Sequence, residues 1–262
     1  MDLKQEQEGS VLRWTIARPT CRNALGDQLA LELDSALHQL ETQWQKFLHS
    51  SGKNQAPVQV LSIAAQTVSG SAPIWIAGGD LSELAAKNAR QGRAYAAKYT
   101  RICRRLEELP LPVLMKIHGA VIGGGVEFAL CGDLRFATEE SYLDLRQLQI
   151  GLTTGYGGAK RLVESLGKSR ASHVLLTSQR ISAHQAYEWG LIHGLARDCA
   201  ELDSMVEAQI SKICALEPLS IAAQKKMLTY ASHGLTRPAL ELKLFEKIWK
   251  NATHRRVLEK FR

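Results

Sequence analysis

The chain has 262 residues, of which 45% are hydrophobic and 23% charged, with a formal net charge of +7. That length and apolar share suffice for one large core with a smaller accessory region, and they exclude an intrinsically disordered chain. The five cysteines are scattered without a C-x-x-C pair, which excludes a disulfide framework and a cysteine zinc site; no apolar run reaches the ~18 uncharged residues of a membrane span, because Lys116 and Glu127 interrupt the best one.

The N-terminus, MDLKQEQEGS, is polar and carries three acids, so it has neither the apolar stretch of a signal peptide nor the Arg-rich character of a transit peptide, and a cytoplasmic location is expected. Val11 to Ile16 alternates and predicts a strand ending before Pro19. Leu29, Leu33, Leu37, Leu40, Trp44 and Leu48 recur every three or four residues and predict a helix over about 25–48. HSSGKNQ, residues 49–55, reads as a loop. Val58 to Ala64, Ile74 to Ile76 and Val113 to His118 are short β-prone runs. Between the last two, Tyr95, Tyr99, Ile102, Leu106 and Leu109 mark one face of a helix stopped by Pro110 and Pro112. Ser182-x-x-Gln185 is a capping box opening a helix closed by Gly190. After Asp198 the pattern is helical throughout, over about 199–216, 218–231 and 237–249, with a last basic turn to Arg262. Strands alternating with crossover helices predict an α/β layer structure with mostly parallel pairing, divided into a core over 1–195 and a C-terminal helical region over 196–262.

The segment VLMKIHGAVIGGGVEFALCGD, Val113 to Asp133, carries the clearest chemistry. A β-branched run passes through Gly123, Gly124 and Gly125 into a turn bearing Glu127, so exposed backbone amides and one acid meet in a small volume. Such a corner suits a developing oxyanion with a proton carrier beside it. Gly155-Tyr156-Gly157-Gly158 lacks the G-x-G-x-x-G spacing and early position of a dinucleotide loop. His173, His184, His193 and Asp133 show no metal-ligand spacing, and no metal is expected. Basic residues gather at Arg101, Arg104 and Arg105 and at His254, Arg255 and Arg256, and both groups read as solvated helix faces rather than a nucleic-acid surface.

Four segments, RPTCRNAL from Arg18, IWIAGGDL from Ile74, the glycine corner, and IGLTTGYGGAKRL from Ile150, resemble in order and interval the crotonase (enoyl-CoA hydratase/isomerase) superfamily. The resemblance runs from about Val11 to Ile192 and more loosely onward. It implies a crotonase-like spiral of ββα units with C-terminal helices that pack trimers, as a homotrimer or a hexamer. It implies a coenzyme A thioester as substrate, with no separate cofactor and no membrane association. The enolate formed from that thioester would meet the amides of Ile76 and Gly124, with Glu127 moving the proton. Arg22 would meet the phosphates of coenzyme A, and Ala24, Ala77, Gly78, Asp80, Leu81, Gly123, Thr154 and Gly155 would line the substrate site, with Thr154 where the family commonly has proline.

One departure stands out. Aligned through Gly151, Gln147 falls where hydratases of the family carry a second glutamate, with Asp144 and His118 as other candidate proton carriers. A carboxamide neither gives nor takes a proton at neutral pH. The resemblance makes hydration of a 2-enoyl-CoA the nominal expectation, and the Gln147 departure gives it a serious competitor. A one-carboxylate reaction, such as isomerisation, decarboxylation or thioester hydrolysis, is its rival, and a weakly catalytic CoA-fold protein that binds RNA or a partner is the third reading.

Overall fold

A computed structural model describes residues 1–50, 58–68, 70–232, 234–235, 238–249 and 251–261. The loop expected over 49–55 lies, from 51 onward, outside the described residues, as does Arg262. Strands β1 (Leu3–Glu8) and β2 (Val11–Ile16) form an antiparallel pair, and α1 (Asp27–His49) follows. The chain then runs through β3 (Val60–Ala65), β4 (Ile74–Ile76), α2 (Leu81–Ala85), α3 (Ala89–Glu108), β5 (Val113–Ile117), β6 (Ala120–Ile122) and α4 (Gly124–Ala129). Next come β7 (Leu134–Thr138), β8 (Tyr142–Asp144), α5 (Gly158–Thr177), β9 (Arg180–Ser182), α6 (Ala183–Glu188) and β10 (Gly194–Ala196). Helices α7 (Cys199–Cys214), α8 (Pro218–Ser232), α9 (Pro238–Trp249) and α10 (Ala252–Leu258) complete it.

The strands form two sheets, ordered β1-β2-β3-β5-β7-β10 and β4-β6-β8-β9. The pairs β3·β4, β5·β6 and β7·β8 each send one strand to the large sheet and the next to the small one before a helix follows. This is a spiral of ββα units, as expected, and the pairing is parallel except at β1·β2 and β8·β9. Between β5 and β6 stand only His118 and Gly119, and the turn they make needs a residue without a side chain, since a Cβ at Gly119 would lie 2.1 Å from the Pro73 carbonyl oxygen.

The core lies between these sheets and α1, α3 and α4. Trp14, Trp44, Trp75, Tyr99 and Phe128 are fully buried there; the α1 stripe from Leu29 to Trp44 is buried as its spacing predicts, with Phe47 buried and Leu48 half-buried at its end, and so are Tyr95, Tyr99, Ile102 and Leu106 of α3 and Leu109 just past it. Helix α7 covers the large sheet through Leu202, Val206 and Ile210, which pack with Val60, Leu114 and Phe136. Helix α9 buries none of its described residues and leaves Leu242, Phe245 and Trp249 exposed.

Candidate active site

The site forms where the β6-to-α4 turn meets the loop before α5. Gly123, at φ +55, donates its N–H to the Asp144 carbonyl at 2.7 Å, which fixes the turn against β8. Gly124 begins α4, so its N–H has no acceptor within the helix. The loop after β4 comes up against this turn: Gly78, at φ +94, leaves no room for a side chain, since a Cβ would sit 2.8 Å from the Ile122 carbonyl oxygen and 3.2 Å from the Gly124 nitrogen.

The backbone around Gly78 determines which amide of this loop is left without an acceptor among the described residues. Leu25 donates to the Gly78 carbonyl at 2.7 Å and accepts from Asp80 N–H at 3.2 Å. This parallel bridge uses the groups flanking Gly79 and turns the N–H of Gly79 itself away from Leu25, with no acceptor among the described residues. Ile76 ends β4, directly before this loop. It is fully buried within β4, paired with Val121, and its carbonyl oxygen lies 2.6 Å from where a Cβ on Gly125 would stand.

Glu127 is 1% exposed, and four donors converge on its carboxylate. Oε1 accepts from Gln147 Nε2 at 3.0 Å and Gly155 N–H at 3.2 Å, while Oε2 accepts from Tyr156 N–H at 2.7 Å and Gly158 N–H at 2.8 Å. Gly157, at φ +91, turns these amides toward one point, and Gly158 opens α5, so the helix dipole adds to the attraction. A carboxylate offers about four acceptor positions. All are engaged, and the two longer bonds are those on Oε1.

The other sequence-derived positions divide into those near this corner and those away from it. Gln147 is in the corner, and its own Oε1 is buried with no partner among the described residues. Gly155 and Thr154 border it, Gly155 through the amide just described. Ala77 donates its N–H to the Arg22 carbonyl at 3.1 Å, tying the first motif to the second; the Arg22 side chain is exposed. Ala24 is buried, and its carbonyl is held by Arg18. Asp80 caps α2 by accepting from Ser82 N–H, Ser82 Oγ and Glu83 N–H, and also accepts from Arg18 Nη2 at 3.1 Å. Burial opposes the Asp80 charge, yet those bonds and the Arg18 cation hold its carboxyl below the usual range. Leu81 is exposed.

Among the described residues, neither alternative proton carrier has a side-chain bond to Glu127 or Gln147. Asp144 is buried with its carboxylate committed to Arg146 Nε at 2.8 Å and Arg180 Nε at 3.2 Å. His118 bonds Glu140 at 2.7 Å and faces the Cys199 thiol at 3.3 Å. Among the described residues, no three His, Cys, Asp or Glu side chains gather as a metal-binding group.

The profile of the enoyl-CoA hydratase/isomerase family matches residues 62–262. The chain belongs to that family. It is 28% identical to the short-chain-enoyl-CoA hydratase of Clostridium acetobutylicum over 85% of this chain and 79% of that protein. It is 30% identical to the 2,3-dehydroadipyl-CoA hydratase of Escherichia coli K12 over 87% of this chain and 81% of that protein. The solved enoyl-CoA hydratase of Bacillus anthracis superposes with a TM-score of 0.85 at 23% identity, covering 100% of this chain and 96% of that one, which shows the shared fold.

Within this family frame, sequence reading passed over Arg18 and Tyr156. Arg18 joins the N-terminal motif to α2 by pairing with Asp2 at 2.9 Å and Asp80 at 3.1 Å, beside Glu83. Tyr156 is buried and packs its ring on Gly124, yet in the sequence it reads only as the filler of a glycine-rich turn.

Proposed function

We propose that the chain acts on a coenzyme A thioester, stabilising its enolate with two backbone amides and moving a proton with Glu127; hydration of a 2-enoyl-CoA is the nominal reaction. The carrying observation is the approach of the Gly78-Gly79 loop to the free Gly124 amide beside the buried Glu127 carboxylate. Both relatives described above are named as hydratases of CoA esters of this kind. We assign the first oxyanion donor to Gly79 rather than Ile76, because the Leu25 bridge turns the Gly79 N–H away from Leu25 and leaves it without an acceptor among the described residues, while Ile76 lies in the β4·β6 pairing. Losing one such donor typically costs about 3–4 kcal/mol of transition-state stabilisation.

Proton transfer by Glu127 requires one bond to open. Oε1 is the atom to do it, since its bonds at 3.0 and 3.2 Å are longer than those on Oε2 at 2.7 and 2.8 Å. The Glu127–Gln147 bond also favours the second reading, a one-carboxylate reaction such as double-bond isomerisation, because the partner of Glu127 is an amide that neither gives nor takes a proton. Steady-state turnover of crotonyl-CoA and of a 3-enoyl-CoA tests both: fast hydration supports the nominal reaction, and isomerisation without hydration supports the second. The RNA-binding reading has little basis in α3, where Arg101 and Arg105 pair with Asp34, Arg105 also with Glu41, and Arg104 with Glu108.

Self-association belongs to the same proposal. Leu242, Phe245 and Trp249 on α9 are each at least half exposed, and such a face suits contact with another copy, as a trimer or hexamer. A monomer mass by light scattering at micromolar concentration would rule this out.

A further inference from the structure

Three tyrosines close the space next to the Gly79 and Gly124 amides. Tyr156 packs its ring so tightly on Gly124 that a Cβ there would lie 2.4 Å from Cε2, and its hydroxyl stands 3.5 Å from the corresponding position on Gly79. The Tyr95 hydroxyl is 3.1 Å from that same position and 3.1 Å from the Tyr156 hydroxyl. Tyr99 backs the pair, with its ring centroid 5.2 Å from each of the other two.

This plug is anchored on all sides. The Tyr95 hydroxyl donates to the Leu25 carbonyl, and the Tyr99 hydroxyl to the Gly26 carbonyl at 2.6 Å. Tyr156 is held through its backbone, with its N–H on Glu127 and its carbonyl accepting from Arg161 Nη1 at 2.5 Å. Arg161 is itself fixed to Glu107 of α3 at 2.5 and 2.8 Å. Burial raises the pKa of all three phenols, so they remain neutral and pack as rings with satisfied hydroxyls. All three are buried, so the cluster forms a wall and not a lining that solvent already penetrates.

We infer that Tyr156, backed by Tyr95 and Tyr99, limits the substrate to coenzyme A esters of short acyl groups. The inference rests on the proposed thioester site: an acyl carbon bound between the two amides starts against the Tyr156 ring, and a longer chain must displace an anchored side chain. A tightly packed interior resists such displacement, and each methylene that finds no apolar room forgoes about fourfold in affinity.

The test compares butyryl-CoA with octanoyl-CoA binding by calorimetry, and the matching 2-enoyl-CoA esters in turnover, for the wild type, Tyr156→Phe and Tyr156→Ala. The wild type and Tyr156→Phe should bind the eight-carbon ester at least about tenfold more weakly than the four-carbon one, and Tyr156→Ala should remove or invert that ratio. Should Tyr156→Ala fail to fold by circular dichroism, Tyr156→Leu, which shortens the ring's reach and keeps an apolar filler, should shift the ratio in the same direction. A wild type that binds both esters equally, or a ratio unchanged in the folded Ala or Leu variant, overturns the inference. Because binding is read apart from turnover, a protein that selects butyryl-CoA but catalyses no hydration or isomerisation sinks the proposed reaction and leaves the chain-length limit standing.

Discussion

Gln147 donates its side-chain N–H to Glu127 Oε1 at 3.0 Å, and the carbonyl oxygen of that same amide is buried without a partner among the described residues. The orientation follows from electrostatics: a carboxylate attracts the donor end of an amide and repels the acceptor end. Gln147 therefore steadies the Glu127 charge and turns its own unsatisfied acceptor elsewhere in the corner. A buried acceptor without a donor is costly, which makes that oxygen a natural partner for an O–H of water or substrate.

Replacing Glu127 by glutamine removes the carboxylate from the corner while keeping its size. Turnover of the best CoA ester should fall by about 10²-fold or more, with affinity for the ester little changed. The measurement is kcat and Kd side by side on folded protein. Wild-type turnover in this variant would remove Glu127 from the mechanism.

Gly158→Ala tests whether the seat of the carboxylate matters as much as the carboxylate. A Cβ at that position would stand 2.5 Å from Glu127 Cγ, so the acid must shift and lose some of its amide bonds. Misplacement of this kind typically costs about 10²-fold in rate. The expected outcome is a folded protein with kcat lowered nearly as far as in Glu127→Gln. Unchanged kcat would mean that the amide nest around Glu127 is not needed for the reaction.

Much of this site was legible in the chain because its parts are local. Gly123-Gly124-Gly125 followed by Glu127 fixes a turn and an acid within one stretch, and the stripe from Tyr95 to Leu109 fixes the helix that backs it. Relations made by long-range packing were not legible. The choice between Ile76 and Gly79 depends on a bridge to Leu25, more than 50 residues away, and no local pattern encodes it. The ββα repeat has no visible sequence period, since each unit is defined by which sheet its strands join. Strand β1, LKQEQE, buries only Leu3 and exists through its pairing with β2, so alternation could not reveal it. Asp80 read as a substrate-site residue, while in the fold its carboxylate caps a helix and binds Arg18.

Asp80→Ala should therefore act on stability before chemistry. Loss of a helix N-cap costs about 0.5–2 kcal/mol, and the Arg18 pairing places this site toward the upper end. The folded carboxyl titrates below its unfolded value, so its contribution is complete above the unfolded pKa of about 3.9 and is lost as pH falls through the lower, folded value. The melting temperatures of wild type and variant should differ near neutrality and converge as pH drops below about 4. A gap that persists undiminished in acid would assign the effect to packing and not to the charge.

Gln147→Glu asks whether the corner becomes an ordinary two-carboxylate site. The substitution keeps nearly the same volume and places a second acid at the 3.0 Å distance now held by an N–H···O bond. Two carboxylates that close cannot both ionise at ordinary pH: either they share a proton, or they part and admit a water between them. The second arrangement is the one hydration needs, with one group activating water and the other handling the proton at Cα. On the one-carboxylate reading, wild-type hydration of crotonyl-CoA is slow by about 10²–10⁴-fold relative to such a pair, equivalent to about 3–5 kcal/mol of barrier. In the variant, kcat/KM for hydration should rise, and its profile should gain a basic limb above the usual carboxylate range, because the proton the pair shares is the one delivered to Cα while the ionised partner activates water. Profiles of both forms from about pH 5 to about pH 9 make the comparison. A wild type that already hydrates as fast as the variant, with no change in the basic limb, would show that Gln147 holds the attacking water through its carbonyl oxygen, and the one-carboxylate reading would fall.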